Sequence, residues 1–214
     1  MFTGTFMRSL IAKGVILTMA ASTLAMANPR STGEWFNGSV RLMGGAKLLE
    51  QFWEPANNHG QFGMLVDYLP IGAPVHLAVD VISTSATGNT GGSNCWWWDG
   101  RNWCSTSVTL STSEFNAGFR KHIDMGGLRP YAGSGLGFVS TTRSFNNSSV
   151  PSDTNNTFSA WVNAGAAVML HEYVNAGLDI RYNYSPIDVR NSSGQNVRRN
   201  VGGLGAGFFL GYQW

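Results

Sequence analysis

The sequence predicts an all-β chain whose eight strands close into a single antiparallel barrel. Three observations carry this. Side chains alternate with a period of two through eight separate segments. The links between those segments alternate between short and long. Charged residues make up only 12% of the 214, yet nothing after the first 27 approaches the roughly 20 continuous apolar residues of a spanning helix. Successive side chains of a strand point to opposite faces. A barrel with an apolar outer wall and a polar inner one therefore needs this rhythm. A secreted β-sandwich, the competing class, would carry more charge on its solvent faces.

The first segment, Phe36 to about Leu48, sets Val40, Leu42, Ala46 and Leu48 outward against Asn37, Ser39, Arg41, Met43 and Lys47. The second, Gly60 to Leu69, opposes Phe62, Met64, Val66 and Tyr68 to Gln61, Gly63, Leu65 and Asp67. In the third, Val75 to Thr84, the outward set is Val75, Leu77, Val79 and Val81, and His76, Ala78 and Asp80 face inward. The fourth, about Val108 to Lys121, puts Phe115, Ala117 and Phe119 outward and Glu114, Asn116, Gly118 and Arg120 inward.

The fifth, Leu128 to Thr142, is the least regular. Ala132, Leu136 and Phe138 are placed outward, with Arg129, Tyr131, Gly133, Gly135 and Gly137 inward. The sixth, Thr157 to Leu170, runs Phe158, Ala160, Val162, Ala164, Ala166, Val168 and Leu170 along one face. Ser159, Trp161, Asn163, Gly165 and Met169 form the other. The seventh opposes Val174, Ala176, Leu178, Ile180, Tyr182 and Tyr184 to Asn175, Gly177, Asp179, Arg181 and Asn183. The last, Val201 to Trp214, alternates without a slip: Gly202, Leu204, Ala206, Phe208, Leu210, Tyr212 and Trp214 outward, Gly203, Gly205, Gly207, Phe209, Gly211 and Gln213 inward.

Short links follow the even strands: residues 70–74, His122 to Gly127, and His171-Glu172-Tyr173. Long polar links follow the odd ones: Gln51 to His59, Ser85 to Ser107, Arg143 to Asn156, and Ile187 to Arg198. Transmembrane barrels have short periplasmic turns and longer outer loops, and an even strand number leaves both termini inside.

The start of the chain reads as a cleaved signal peptide over residues 1–27, with the barrel domain over 28–214. Arg8 and Lys13 supply positive charge, Gly14 to Ala21 is apolar, and Ala25-Met26-Ala27 is a small-x-small cleavage site. Cleavage removes two cations and no acid, so twelve basic residues are left to face twelve acidic ones. A neutral chain without a basic stripe excludes nucleic acid as a partner.

The inward charges are Arg41, Lys47, Arg120, Arg129 and Arg181 against Asp67, Asp80, Glu114 and Asp179. An eight-stranded barrel is just wide enough for side chains to fill it, and buried charges are costly unless paired. These nearly cancelling sets predict a packed salt-bridge network, with no cofactor or metal and no catalytic centre. His122 and His171 fall in predicted turns, His76 faces inward, and His59 falls in the first outer loop near Glu54. No nucleophile motif such as G-x-S-x-G is present.

The second outer link holds Cys95-Trp96-Trp97-Trp98-Asp99-Gly100-Arg101-Asn102-Trp103-Cys104. Asp-Gly favours a tight hairpin, and two nearby cysteines of an exported chain are expected to pair in an oxidising compartment. Zinc is a poor rival without a nearby His. The tryptophans, with Arg101, either line the membrane interface, pack on neighbouring loops, or form a contact site for a glycan, lipopolysaccharide or a protein.

The segments Leu128-Arg129-Pro130-Tyr131-Ala132-Gly133-Ser134-Gly135-Leu136-Gly137 and Val174-Asn175-Ala176-Gly177-Leu178-Asp179-Ile180-Arg181-Tyr182, with the aromatic C-terminus, carry a family likeness. The chain resembles the small eight-stranded outer-membrane proteins of Gram-negative bacteria, the OmpA-transmembrane, OmpX and OmpW-like group. The resemblance implies outer-membrane lipid and lipopolysaccharide as surroundings. It also implies a C-terminal signal, here Phe208, Leu210, Tyr212 and Trp214, read by the barrel-assembly machinery. Phe209 stands where that family usually has a glycine. The role expected is non-enzymatic, in envelope integrity or surface interaction. The alternatives are a narrow channel for small or hydrophobic solutes, as in the OmpW-like branch, and a lipid-modifying enzyme should His59 or His76 meet a serine and an acid.

Overall fold

The computed structural model describes residues 37–49, 53, 56–98, 101–145, 152–190 and 196–214. The expected leader and the Asp99-Gly100 turn lie outside them. Among the described residues the strands are β1 (Gly38–Leu48), β2 (Asn58–Tyr68), β3 (His76–Trp98), β4 (Arg101–His122), β5 (Leu128–Phe145), β6 (Asp153–Met169), β7 (Val174–Tyr184), β8 (Pro186–Arg190), β9 (Asn196–Asn200) and β10 (Gly203–Gln213). Eight of them close an antiparallel barrel in the order β1-β10-β7-β6-β5-β4-β3-β2. The first and last barrel strands pair without a break from Ser39–Gln213 to Leu48–Leu204. Below this seam, Asn37 and Gly38 donate to the Trp214 carbonyl, and the Trp214 amide donates back to the Gly38 carbonyl at 3.0 Å.

The alternation sorts the two walls as the period of two requires. Phe158, Phe208 and Leu136 are 82%, 74% and 72% exposed, whereas Asp67, Asp80, Asn116 and Arg120 are wholly buried. An apolar belt around a closed, polar-filled cylinder is a hydrocarbon-facing surface. Inside, size is matched across strands. Arg41 lies opposite Gly211, Phe209 opposite Gly177, Tyr131 opposite Gly165, Trp161 opposite Gly135, and Asn116 opposite Gly137. A Cβ on Gly177 would come within 2.6 Å of the Phe209 ring, and one on Gly165 would collide with the Tyr131 hydroxyl. Alternating large and small residues lets a narrow barrel take bulky side chains. This pattern resolves the fifth segment, whose inward Gly135 and Gly137 face Trp161 and Asn116.

Four expectations are corrected. Residues 85–107 are mostly strand: β3 and β4 pair from His76–Arg120 to Trp98–Arg101, with a register shift between Asn89 and Asn94. The link expected over Ile187 to Arg198 contains a two-stranded sheet, β8 against β9. His122 belongs to the end of β4 rather than to a turn, and is buried. His59 belongs to β2 rather than to an outer loop, and is fully buried.

Candidate functional site: a filled lumen and a projecting hairpin

The lower lumen holds an unbroken chain of alternating charge. Asp67 accepts from Arg41 and Arg120, and His122 Nε2 lies 3.2 Å from its Oδ2. Arg120 also reaches Asp80, Nη2 to Oδ2 at 2.8 Å. Asp80 is shared with Arg181 Nη2 at 3.2 Å, and Arg181 Nε donates to Asp179 at 2.9 Å. Asp179 accepts in addition from the Tyr131 hydroxyl and from Asn163 Nδ2, both at 2.8 Å. The Tyr131 ring then returns beneath Arg41 and Arg120, 4.9 and 5.6 Å from their guanidinium carbons. Three arginines and three aspartates from β1, β2, β3, β4 and β7 thus balance one another with every carboxylate multiply bonded. That is the condition under which buried charge is tolerated.

Above this layer Lys47 pairs with Glu114, and Asn183 Nδ2 donates to the same carboxylate at 2.8 Å. A third layer joins His59 Nδ1 to Thr84 Oγ1 at 3.0 Å, and Thr84 to Thr112 at 2.7 Å. His59 Nε2 lies 2.9 Å from the Ala56 carbonyl, which ties the first outer link to the barrel. The top is apolar: Leu49, Trp53, Ala56, Ala86, Val108, Leu110, Val139, Ile187 and Val201 form one buried cluster. Trp53 Nε1 donates to the Asn200 carbonyl at 2.9 Å. Asn200 Oδ1 accepts from the amides of Ser185 and Gly202 at 2.7 and 2.9 Å, fixing the foot of the β8–β9 hairpin. Charge below, hydroxyl and imidazole in the middle and hydrocarbon on top fill the cylinder along its length.

Eight of the nine charges assigned to the interior lie in these layers, and Arg129 does not. It sits at the rim, 14% exposed, on Asp124 Oδ2 at 3.1 Å and on Gln213 Oε1 at 3.0 Å. Sequence reasoning missed the part played by His122 and Tyr131 in the network. The inward parity of Tyr131 was visible; the extra turn of strand that carries His122 inward was not. At the same rim Tyr173, Tyr212 and Trp214 stack, with ring centres 6.0 and 6.4 Å apart. Phe208, Leu210, Tyr212 and Trp214 are all exposed on the outer wall.

Neither His59 nor His122 forms a nucleophilic triad. Both ring nitrogens of His59 are engaged, by Thr84 and Ala56. His122 shares Asp67 with Ser39 Oγ at 3.5 Å, which puts the acid between hydroxyl and imidazole, the wrong order for a nucleophilic triad. Among the described residues no group of three or more His, Cys, Asp and Glu could hold a metal ion.

Beyond Asn89 and Ser107, β3 and β4 pair only with each other among the described residues. The register sets Cys95 opposite Cys104, Trp96 opposite Trp103, Trp97 opposite Asn102 and Trp98 opposite Arg101. The barrel thus carries a two-stranded ribbon rising past its mouth.

No protein-family model matches the chain, and no curated protein matches its sequence. Solved structures do match in shape. Neisserial surface protein A superposes with a TM-score of 0.58 at 12% identity, over 83% of this chain and 97% of that one. OprG of Pseudomonas aeruginosa gives 0.55 at 12%, over 84% and 97%. Ail, the attachment invasion locus protein of Yersinia pestis, solved in complex with the heparin analogue sucrose octasulfate, gives 0.50 at 13%, over 84% and 99%. The fold is that of the small eight-stranded outer-membrane barrels. With the apolar belt, that fold places the chain in the bacterial outer membrane.

Proposed function

We propose that this protein is a non-enzymatic outer-membrane barrel that acts at the cell surface through the tip of the β3–β4 ribbon. The observation carrying this reading is the ribbon itself, which gathers Trp96, Trp97, Trp98, Arg101 and Trp103 at the far end of paired strands. Tryptophan and arginine dominate binding hot spots because they bring large rigid area at small entropic cost. A filled lumen beneath leaves the surface as the place for function. Ail, of the same fold, was solved with a heparin analogue, and a glycan or protein ligand at the outer tip fits the same use of the scaffold. A bond between Cys95 and Cys104, opposed in register, would hold the tip rigid and lower the entropy lost on binding. Trp214 and the apolar residues before it are proposed as the segment the assembly machinery reads.

Two measurements test this. Thiol labelling of envelope-isolated protein is expected to find neither cysteine reactive before reduction and both afterwards. The double substitution Trp97→Ala and Trp98→Ala is expected to leave the heat-dependent shift of the folded barrel on gels unchanged. Binding of the purified protein to a panel of sulfated and uncharged glycans and host surface proteins is expected to fall at least about tenfold, as for loss of hot-spot residues. A variant that loses the folded band, or one that keeps all its binding, contradicts the proposal.

A further inference from the structure

The outer wall changes character in a single step. Val81, Phe115, Phe138 and Phe158 are cross-strand neighbours on β3 to β6 and form a continuous apolar row. The Phe138 and Phe158 rings meet edge to face at 6.0 Å. Two residues further out on each strand the row reads Ser83, Ser113, Ser140 and Asn156. The next reads Ser85, Ser111, Thr142 and Thr154, and the last Thr87, Thr109 and Ser144. No charged residue stands in any of the three rows. At the usual rise per residue and strand spacing the wall is about 13 Å tall and about 14 Å wide.

The wall is one-sided. β1 and β2 stop at Leu48 and Asn58, and β7 and β10 at Tyr184 and Gly203, and there the exposed Leu48, Leu204 and Tyr184 carry apolar or aromatic surface to the strand ends. Among the described barrel strands only β3 to β6 rise beyond the belt. Their hydroxyls are partly satisfied by one another: Ser85 with Ser111 at 3.1 Å, Thr87 with Thr109 at 2.9 Å and Thr142 with Thr154 at 3.2 Å. A hydroxyl has one donor and two acceptor sites, so each pair keeps the capacity to bond outward.

From this we infer that the outward face of β3 to β6 is a docking surface for the neutral sugars of lipopolysaccharide. The wall is continuous with the lipid-facing belt and begins directly beyond its row of Val81, Phe115, Phe138 and Phe158. What lies beside it is therefore the saccharide layer of adjacent lipids. Its lack of charge matches uncharged hexoses rather than the phosphates of the lipid anchor. The inference rests on the outer-membrane placement and is independent of the ribbon tip.

The test compares the full protein in three bilayers: phospholipid alone, phospholipid with lipid A, and phospholipid with lipopolysaccharide bearing a hexose core. The thermal unfolding midpoint is expected to be higher with the hexose core than with lipid A, since a ligand bound only to the folded state raises it. The combined substitution Ser85→Ala, Ser111→Ala, Thr142→Val and Thr154→Val is expected to abolish that difference and to leave the phospholipid midpoint within a few degrees of the parent. Equal midpoints of the parent protein with hexose core and with lipid A overturn the inference, and that comparison needs no variant. So does a variant that keeps the difference, or one that turns a dimer in phospholipid into a monomer, which would make a second copy of the chain the occupant.

Discussion

Replacing Asp67 by asparagine is expected to lower the unfolding free energy by about 3–5 kcal/mol, because it strands buried charge. Asp67 receives Arg41 and Arg120 and has His122 beside it. Without its charge three buried arginines share two aspartates, and Arg41 loses its carboxylate partner. Urea titration of the reconstituted barrel measures the loss. The matched control is Asp124→Asn at the exposed turn, where the pair with Arg129 is worth about 0–1 kcal/mol, as surface ion pairs usually are. Adding Arg41→Met to Asp67→Asn is expected to recover part of the loss, since removing both partners of a buried pair costs less than removing one. A cost for Asp67→Asn no larger than that of the control would mean the arginines are solvated and the lower lumen is open to water.

Trp53→Ala is expected to cost about 3–5 kcal/mol, the range for truncating a buried aromatic, and to loosen the outer cap. Trp53 packs among Leu49, Val108, Val139, Ile187 and Val201, and its indole holds the Asn200 backbone. With the indole gone, the foot of the β8–β9 hairpin loses its clamp. Trypsin is expected to cut at Arg198 or Arg199 many times faster than in the parent protein, with the barrel still shifted on unheated gels. Trp53→Phe separates packing from hydrogen bonding, and its expected cost is about 1 kcal/mol for the bond. Unchanged cleavage in Trp53→Ala would show that the apolar layer does not hold the hairpin.

The two walls of the barrel were legible because lipid enforces one rule over the belt, apolar outward and small or polar inward. Above the membrane the period survives but its polarity reverses. On β3, Ile82, Thr84 and Ala86 face in while Ser83, Ser85 and Thr87 face out, so the segment looks like a serine-rich loop although it is strand. The same reversal hid the apolar cap, whose members are scattered over four strands and two links. Pro186 and the charges of Ile187-Asp188-Val189-Arg190 masked a hairpin that, among the described residues, pairs only with itself. Inward parity picked out the aspartates and arginines of the charge network, but neither His122 nor the wiring. Which aspartate meets which arginine depends on register and barrel stagger, quantities set by all eight strands together.

Planar-bilayer conductance of protein first shown to be folded by its heat-dependent gel shift tests the central claim most directly. A barrel filled by its own ion pairs and capped by hydrocarbon should insert and give no steady openings at any applied voltage. Sustained ohmic steps from the folded band would contradict it.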